Sequence, residues 1–322
     1  MCRPAGFGRL ADLSEDRRVH FCSDGLALSP AEYAQLLSGL ASDGGVTADE
    51  FSRGGIVATL EERMAAMLGK EMAVFIPSGT LANNLALRLL ARRGRRVLVQ
   101  RESHIYNDSG DCAHELSGLT LVPLAPERAT FTLAEVAAEV ARAEEGRVST
   151  PVGVISIESP VRRVLGEAFD FAEMQRIVLF AREKQIGLHL DGARLFLASA
   201  YTGISPQRYA ELFDTVYVSL YKYFNAAGGA ILAGPRELLD GLYHHAGCLA
   251  GASVRPGLMR RSRCIFLMGS AKGSSAQRPQ RIIFGTRSQS TKTVKSCAPQ
   301  QQPMSRGCGS PTEVPQPYRS GC

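Results

Sequence analysis

Residues 152–158 read VGVISIE, residues 170–184 read DFAEMQRIVLFAREK, and residues 187–190 read GLHL. Two short, β-branched or apolar runs flank a longer amphipathic stretch. This pattern is typical of a strand, a crossover helix and a second, parallel strand. The alternation continues on both sides, so the body of the chain is predicted to be α/β with a mainly parallel sheet. Predicted strands cover 72–76, 96–100, 119–123, 152–158, 187–190, 215–219 and 230–233, and predicted helices cover 59–68, 81–92, 132–144, 170–184 and 205–212.

Composition excludes several classes of protein. The chain has 322 residues, 45% of them hydrophobic, and a net charge of +6. No apolar run approaches the roughly 18 residues that a membrane helix needs, so no membrane partner is expected. The chain has 8 Cys but no CxxC pair, and its first residues lack the pattern of a signal peptide. We therefore expect a reduced, cytoplasmic protein without a metal site.

The positive charge lies at the end of the chain. Residues 259–322 hold eleven Lys and Arg and one acid, Glu313, which leaves 26 basic and 30 acidic residues in 1–258. Ser, Gln, Arg, Lys, Gly and Pro dominate beyond about residue 258, and such a segment buries too little apolar surface to fold. Its basic residues are dispersed and aromatics are few, so no nucleic-acid partner is expected. The predicted organisation is an N-terminal segment 1–20, a large domain 21–245 and a disordered basic tail 246–322.

Polar residues follow two of the first predicted strands. In an open parallel sheet, ligands bind outside the carboxyl ends of the strands. Ser78, Gly79 and Thr80 lie between strand 72–76 and the next helix, where backbone N–H groups can bind a phosphate, although a serine there is often an ordinary N-cap. His104 follows strand 96–100 and either stacks on a planar ring, moves a proton or simply packs.

Two charged residues follow later strands. Asp191 ends the run HLD and precedes Gly-Ala-Arg194, so it forms either a structural ion pair or a contact with a protonated ring nitrogen. Lys222 lies among Tyr221, Tyr223 and Phe224. Burial there would lower the pKa of its amine and favour attack on an aldehyde, and a surface lysine with a buried stem is the alternative.

Taken together, these positions indicate one cofactor. Pyridoxal phosphate needs a phosphate cradle, a ring-stacking group, an acid for its pyridine nitrogen and a lysine for its aldehyde. Residues 78–80, His104, Asp191 and Lys222 supply these groups in that order along the chain. Pyridoxal 5'-phosphate is therefore the predicted cofactor.

At these residues the chain, from Phe21 to about Tyr243, resembles the threonine aldolase and aromatic β-eliminating lyase family of fold-type-I pyridoxal-phosphate enzymes. The resemblance implies a three-layer large domain of the kind found in pyridoxal-phosphate-dependent transferases, and a homodimer or homotetramer. It also implies a role for each matching residue: Ser78, Gly79 and Thr80 bind the phosphate, His104 stacks on the ring, Asp191 binds the pyridine nitrogen, Glu158 lies in the strand beneath the cofactor, Arg194 contacts the cofactor oxygen and the substrate carboxylate, Ser23 contacts that carboxylate, and Lys222 forms the Schiff base.

The activity that the resemblance implies belongs to amino acid metabolism. It is cleavage of a β-hydroxy-α-amino acid, such as L-threonine, allo-threonine or phenylserine, to glycine and an aldehyde. The sequence leaves the base for this step open, and His104, or a water held near it, is the first candidate. β-Elimination with Lys222 as the base and transamination remain alternatives. Many family members have Ser-Lys-Gly where this chain has Tyr221-Lys222-Tyr223. They often have Glu-Asn-Thr-His where it has Glu158-Ser159-Pro160-Val161, so substrate preference stays open.

The family continues into a small C-terminal domain that supplies an arginine for the substrate carboxylate, and nothing after Tyr243 resembles it. We expect that this domain is missing. A frameshift is our hypothesis for the loss, because, if the codons for 246–266 are chosen freely, one shifted frame reads as a family-like triple glycine followed by a helix. A catalytically silent chain of aldolase ancestry is therefore a further alternative.

Overall fold

The computed structural model describes residue 24 and residues 28–42 and 47–250. All of these belong to the first of two units, Met1–Ala276, and the second unit, Gln277–Cys322, lies outside the described residues. Three predictions also lie outside them: the N-terminal segment 1–20, the role of Ser23, and nearly all of the basic tail. The loss of the small domain likewise stays a prediction.

Seven strands form one sheet within the described residues. They are β1 (Met72–Ile76), β2 (Arg96–Gln100), β3 (Thr120–Leu124), β4 (Val152–Glu158), β5 (Gly187–Asp191), β6 (Thr215–Ser219) and β7 (Ala230–Gly234). The order across the sheet is β1-β7-β6-β5-β4-β2-β3. Strand β7 is antiparallel to both of its neighbours and every other pairing is parallel. The prediction of a mainly parallel sheet is confirmed.

The helices pack on both faces of this sheet. They are α1 (Pro30–Ser42), α2 (Gly55–Leu68), α3 (Gly79–Leu90), α4 (His104–Asn107), α5 (Cys112–Ser117), α6 (Leu133–Glu144), α7 (Phe171–Glu183), α8 (Leu195–Thr202), α9 (Pro206–Ala210), α10 (Arg236–Leu239) and α11 (Leu242–Ala250). Helices α2, α6, α7 and α9 share one apolar core with the sheet. Helices α3, α5 and α11 cover the opposite face, which we call the α3 face. The predicted three-layer arrangement is confirmed.

Side-chain alternation along the strands separates the two cores. In β6, Val216 and Val218 point into the core of α2 and α7, whereas Tyr217 between them belongs to the core under α3. Neighbouring residues of a strand point to opposite faces, so a residue and its cross-strand partner point to the same face. Polar groups paired with Tyr217 therefore lie on the α3 face.

Several helices of the structure were not predicted from the sequence, among them α1 and α8. Helix α1 buries none of its side chains, and α8 reads LFLASAYT, which is apolar on nearly every side. Helix α8 therefore lacks the one-sided period that identifies a helix packed on a core, whereas Tyr33, Leu36, Leu37 and Leu40 give α1 this spacing. Helix α11 crosses residue 245, where the sequence places the end of the large domain. Among the described residues, none of the helices has the length and apolar character needed to cross a bilayer.

Candidate active site

Three neighbouring strands bring their polar residues side by side at the carboxyl end of the sheet. Glu158, the last residue of β4, pairs with Asp191, the last residue of β5, and Asp191 pairs with Tyr217 of β6. All three side chains are buried. Because Asp191 is the cross-strand partner of Tyr217, and Glu158 that of Asp191, the two carboxyl groups project onto the α3 face. They therefore share one buried site under the first turns of α3.

Both oxygens of Asp191 are held by donors. Its Oδ2 accepts a 2.7 Å hydrogen bond from Nδ2 of Asn83 on α3, and its Oδ1 accepts a 3.1 Å bond from the backbone N–H of Ala193. Each carboxylate oxygen can accept more than one hydrogen bond. Asp191 can therefore accept a further proton-bearing group, such as a protonated ring nitrogen.

The amine of Lys222 is buried, with only 8% of the residue exposed. It lies three residues beyond β6, and its Nζ is 5.6 Å from the centroid of the Tyr221 ring. Burial lowers the pKa of Lys222, and the nearby Arg194 lowers it further, although Asp191 opposes this shift. Among the described residues, no side chain or carbonyl accepts a hydrogen bond from Nζ. A free amine with a lowered pKa is what attack on an aldehyde requires.

Glu158 is held by backbone donors. Its Oε2 accepts a 2.5 Å hydrogen bond from the N–H of His104, and its Oε1 accepts a 3.2 Å bond from the N–H of Arg162. Burial raises the pKa of Glu158 to about 7, and the carboxylate of Asp191 adds to this rise. Glu158 thus anchors the start of α4 and titrates near neutral pH.

The ring of His104 is one-third exposed, and its Nδ1 lies 3.5 Å from Oδ2 of Asp108. Two arginines hold that carboxylate, Arg162 at 2.7 Å and Arg163 at 2.6 Å. The hydrogen bond from Arg163 is the main cause that lowers the pKa of Asp108 to about 2. His104 therefore joins the site through its backbone, while the stacking role of its ring stays a prediction.

The guanidinium of Arg194 meets Asp24. Nε donates a 2.8 Å hydrogen bond to Oδ1 of Asp24, Nη2 donates to Oδ2, and the hydroxyl of Tyr223 donates a 3.0 Å bond to Oδ1. Burial acts to raise the pKa of Asp24, but Arg194 lowers it below its ordinary value. Arg194 also lies close enough to Lys222 to affect the pKa of the amine.

The N-terminus of α3 approaches the same site. The hydroxyl of Ser78 caps this helix by accepting a 3.3 Å hydrogen bond from the N–H of Leu81. A side chain at Gly79 would collide with Tyr217, because its Cβ would lie 2.0 Å from the hydroxyl oxygen. Asn83, in the next turn, contacts Asp191. The phosphate-binding segment predicted at 78–80 therefore begins the helix that contacts Asp191.

These contacts fit pyridoxal phosphate. A buried amine without a hydrogen bond to the described residues suits the aldehyde, and the carboxylate of Asp191 suits the ring nitrogen. The N–H groups of Gly79 and Thr80 begin a 12-residue helix, where they lack intrahelical acceptors and suit a phosphate. The donor and acceptor groups that the cofactor requires are all present.

Sequence reasoning missed Asn83 and Tyr217, and it assigned no role to Asp24 or Tyr223. Asn83 carries a weak signal, since it is polar within the largely apolar run LANNLAL of α3. Tyr217 has none, because a tyrosine in a strand usually packs in the core. Asp24 and Arg194 are 170 residues apart in the chain, so no local pattern joins them.

Comparisons with known proteins agree with this geometry. A sequence model of the beta-eliminating lyase family matches residues 46–279, more than half of the chain. Two low-specificity L-threonine aldolases are similar to it. That of Eremothecium gossypii is 29% identical over 216 residues, which are 66% of this chain and 56% of that protein. That of Candida albicans is 31% identical over 203 residues, which are 62% of this chain and 54% of that protein.

A crystal structure from Listeria monocytogenes, described as a putative L-allo-threonine aldolase, has the same fold. It superposes with a TM-score of 0.64 at 29% identity, over 76% of this chain and 67% of that one. The chain spans about half the length of the curated relatives that it matches.

Proposed function

Because the chain belongs to the beta-eliminating lyase family, we propose that it is a pyridoxal-phosphate-dependent lyase of the threonine aldolase type. Its substrate would be a β-hydroxy-α-amino acid, cleaved to glycine and an aldehyde. One observation carries the proposal. The buried amine of Lys222 lies near enough to the carboxylate of Asp191, at the carboxyl ends of adjacent strands, for the charge of Asp191 to act on its pKa, and Asp191 contacts the helix that begins at Gly79.

Each cofactor contact has a candidate residue in this proposal. Lys222 would bind the aldehyde, Asp191 the protonated ring nitrogen, and Ser78, Gly79 and Thr80 the phosphate. When bound, pyridoxal phosphate supplies an electron-poor ring that accepts the electrons of a broken bond at the substrate Cα. The negative charge of Asp191 would keep the ring nitrogen protonated and so maintain that capacity.

Arg194 would bind the substrate carboxylate. Asp24 engages the Nε and Nη2 edge of its guanidinium, so the substrate would approach from the side of Nη1. Asp24 then orients the guanidinium, and the predicted contact from Ser23 would complete the carboxylate site. A charge-assisted arginine contact of this kind orients the substrate at Cα.

His104, or a water held by it, would remove the hydroxyl proton of the substrate. Its backbone is anchored by Glu158, and Asp108 lies close enough to orient the imidazole. By the family resemblance, Val161 stands where many aldolases have a histidine. His104 is therefore our candidate imidazole for this step.

β-Elimination is the second candidate. It is favoured by the family description and by Val161, because loss of a histidine weakens proton transfer at the substrate hydroxyl. In that reaction Lys222 would remove the Cα proton. The products differ: aldehyde with glycine indicates aldol cleavage, and ammonia with a keto acid indicates elimination.

The test uses the purified full chain with added pyridoxal phosphate. We expect a visible absorbance band from covalently bound cofactor, its loss in Lys222→Ala, and glycine with acetaldehyde from L-threonine. An unchanged band in Lys222→Ala would reassign the lysine. A band without any product from threonine, allo-threonine or phenylserine would support a cofactor-binding but silent chain.

We also propose that the chain forms a homodimer or homotetramer, as its resemblance to the family implies. Light scattering coupled to size-exclusion chromatography measures the mass in solution. A monomer at micromolar concentration would contradict the proposal.

A further inference from the structure

A row of buried polar side chains lies behind Asp191. Thr215 begins β6, His189 lies within β5, and Asn83 lies on α3. The Nδ1 of His189 is 2.8 Å from Oγ1 of Thr215, and its Nε2 is 2.9 Å from Oδ1 of Asn83. Nδ2 of Asn83 is 2.7 Å from Oδ2 of Asp191. All four residues are at most 3% exposed.

The chemistry of these groups allows only one donor-to-acceptor direction for the hydrogen bonds along the row. A carboxylate only accepts hydrogen bonds, so the amide of Asn83 must present its NH₂ to Asp191 and its oxygen to His189. The Nε2 of His189 must then carry the proton, and Nδ1 accepts the hydroxyl proton of Thr215. Burial lowers the pKa of His189 to about 4, which keeps the ring neutral, as this arrangement needs.

The next residue of the same helix shows the contrast. Asn84 is also fully buried, but its Nδ2 donates to the carbonyl of Cys112 and its Oδ1 accepts from the hydroxyl of Ser117. These bonds tie α3 to α5 and end on no charged group. Asn83 differs because its hydrogen bonds end on the carboxylate of the site.

We propose that Asn83 is a positioning residue for Asp191, held in its orientation by His189 and Thr215. The inference rests on the proposed function, because it gives the row the role of aiming Asp191 at the ring nitrogen of the cofactor. With Asn83 on Oδ2 and Ala193 on Oδ1, the carboxylate cannot rotate about χ2 without losing both bonds. The site is thereby preorganised before the cofactor binds.

The test compares Asn83→Leu with Asn84→Leu, two substitutions of similar volume at adjacent buried positions. The full-length protein is titrated with pyridoxal phosphate, and the dissociation constant is read from the absorbance band. A hydrogen bond to a charged group predicts a rise of about 10- to 100-fold for Asn83→Leu. The band itself persists at saturation because Lys222 is intact. Asn84→Leu is expected to change the constant by less than about twofold, because its hydrogen bonds reach no charged group.

Thr215→Val provides a second variant, which preserves shape while removing the hydroxyl from His189. We expect a smaller rise in the dissociation constant, of severalfold. In the protein without cofactor, ¹⁵N NMR should show His189 as the neutral Nε2–H tautomer, and Thr215→Val should weaken that preference. If Asn83→Leu does not fold, the cofactor titration of Thr215→Val and the observed tautomer of His189 test the positioning role instead.

The possible outcomes separate the two proposals. Equal changes in Asn83→Leu and Asn84→Leu, or an Nδ1–H tautomer in the wild type, would overturn the positioning role while leaving the proposed function intact. A wild-type protein that forms no band at all would overturn the proposed function, and the positioning role with it.

Discussion

Two lysines lie at opposite ends of strand β6, Lys70 partly buried and Lys222 buried. Lys70, at the amino end, donates a 2.6 Å hydrogen bond to the carbonyl of Phe213. Lys222, at the carboxyl end, donates none within the described residues. Burial lowers the pKa of both amines, but the next contribution differs: the negative charge of Asp214 opposes the shift at Lys70, whereas the positive charge of Arg194 reinforces it at Lys222.

The difference shows how one residue type serves structure or chemistry. Lys70 uses its charge to satisfy a carbonyl just before β6 begins, so its amine is already bonded. Lys222 has burial without a bond, an arrangement that costs free energy unless a ligand uses it. The lack of a bond within the described residues is what supports Lys222, rather than Lys70, as the reactive amine of the proposed function.

Replacing each lysine by methionine tests this contrast most strongly. Lys222→Met should abolish the absorbance band and reduce turnover by at least ~10²-fold, because the amine is both attachment point and proton carrier. Its urea stability without cofactor should not fall, since a buried amine is removed. Lys70→Met should keep the band and lose about 1–3 kcal/mol of stability, because the Phe213 carbonyl loses its donor. Loss of the band in Lys70→Met would contradict the contrast.

Two aspartates extend the comparison to the carboxylates. Asp214 accepts a 2.8 Å hydrogen bond from the N–H of Leu188 and pairs with Arg182 at the amino end. Asp191→Asn should lower kcat/KM by about 10²- to 10³-fold, because a preorganised charge facing the ring nitrogen is lost. Asp214→Asn should change kcat/KM only severalfold. Its main effect should be on the free energy of unfolding measured in urea. Similar kinetic losses in both variants would remove the distinction.

Glu158, at the carboxyl end of β4, makes the stability of the folded chain depend on pH. Its pKa rises from the ordinary 4.5 to about 7 in the folded chain, so the folded state binds its proton more tightly than the unfolded state. The stabilisation is present below about pH 4.5 and is lost as the pH rises through 7, a change of up to ~3 kcal/mol. Urea unfolding at pH 5 and pH 8 should show this change in the wild type but not in Glu158→Gln. Equal changes in unfolding free energy between pH 5 and pH 8 in the wild type and Glu158→Gln would refute this dependence.

Substitutions that test the close packing at the carboxyl end of the sheet have the smallest predicted effect on stability. Gly79→Ala would place a methyl against Tyr217 and should cost about 1–3 kcal/mol. A Cβ added at Gly39 in α1 would meet no atom within 4 Å. Gly39→Ala should therefore stabilise the chain by about 0.5–1 kcal/mol, since alanine favours a helix interior. The urea midpoints of the two variants measure both stability changes. An unchanged midpoint in Gly79→Ala would mean that Tyr217 moves away freely.

The strands were predictable because each is a short apolar run bounded by polar residues. Strands β1, β2, β4 and β6 match their predicted bounds, β5 and β7 run one residue further, and β3 is shifted by one residue. Helices were harder, since α2 begins at Gly55, four residues before its predicted start. There the buried Ile56 and Val57 follow the glycine pair Gly54-Gly55, ahead of the predicted start at residue 59.

Among the candidate residues, Asp191 and Lys222 act on the pKa of Glu158, and Arg194, Asp191 and Glu158 act on the pKa of Lys222. Their expected positions at strand ends follow from the rule that ligands bind at the carboxyl edge of a parallel sheet. Their roles toward a cofactor, and those of His104 and residues 78–80, stay predictions. Asn83 could not be found this way, because it lies inside a helix and meets Asp191 across 108 residues of chain.

The amino-acid sequence determined where the strands lie, which residues end them, and hence which groups can face a ligand, because these properties follow from local apolar patterns. Only the tertiary structure decided which amine stays without a bond among the described residues, which carboxyl group is buried deeply enough to titrate near pH 7, and which asparagine holds Asp191. Those properties depend on burial and on charges from distant segments, and the strand order that brings the segments together cannot be read from any one of them.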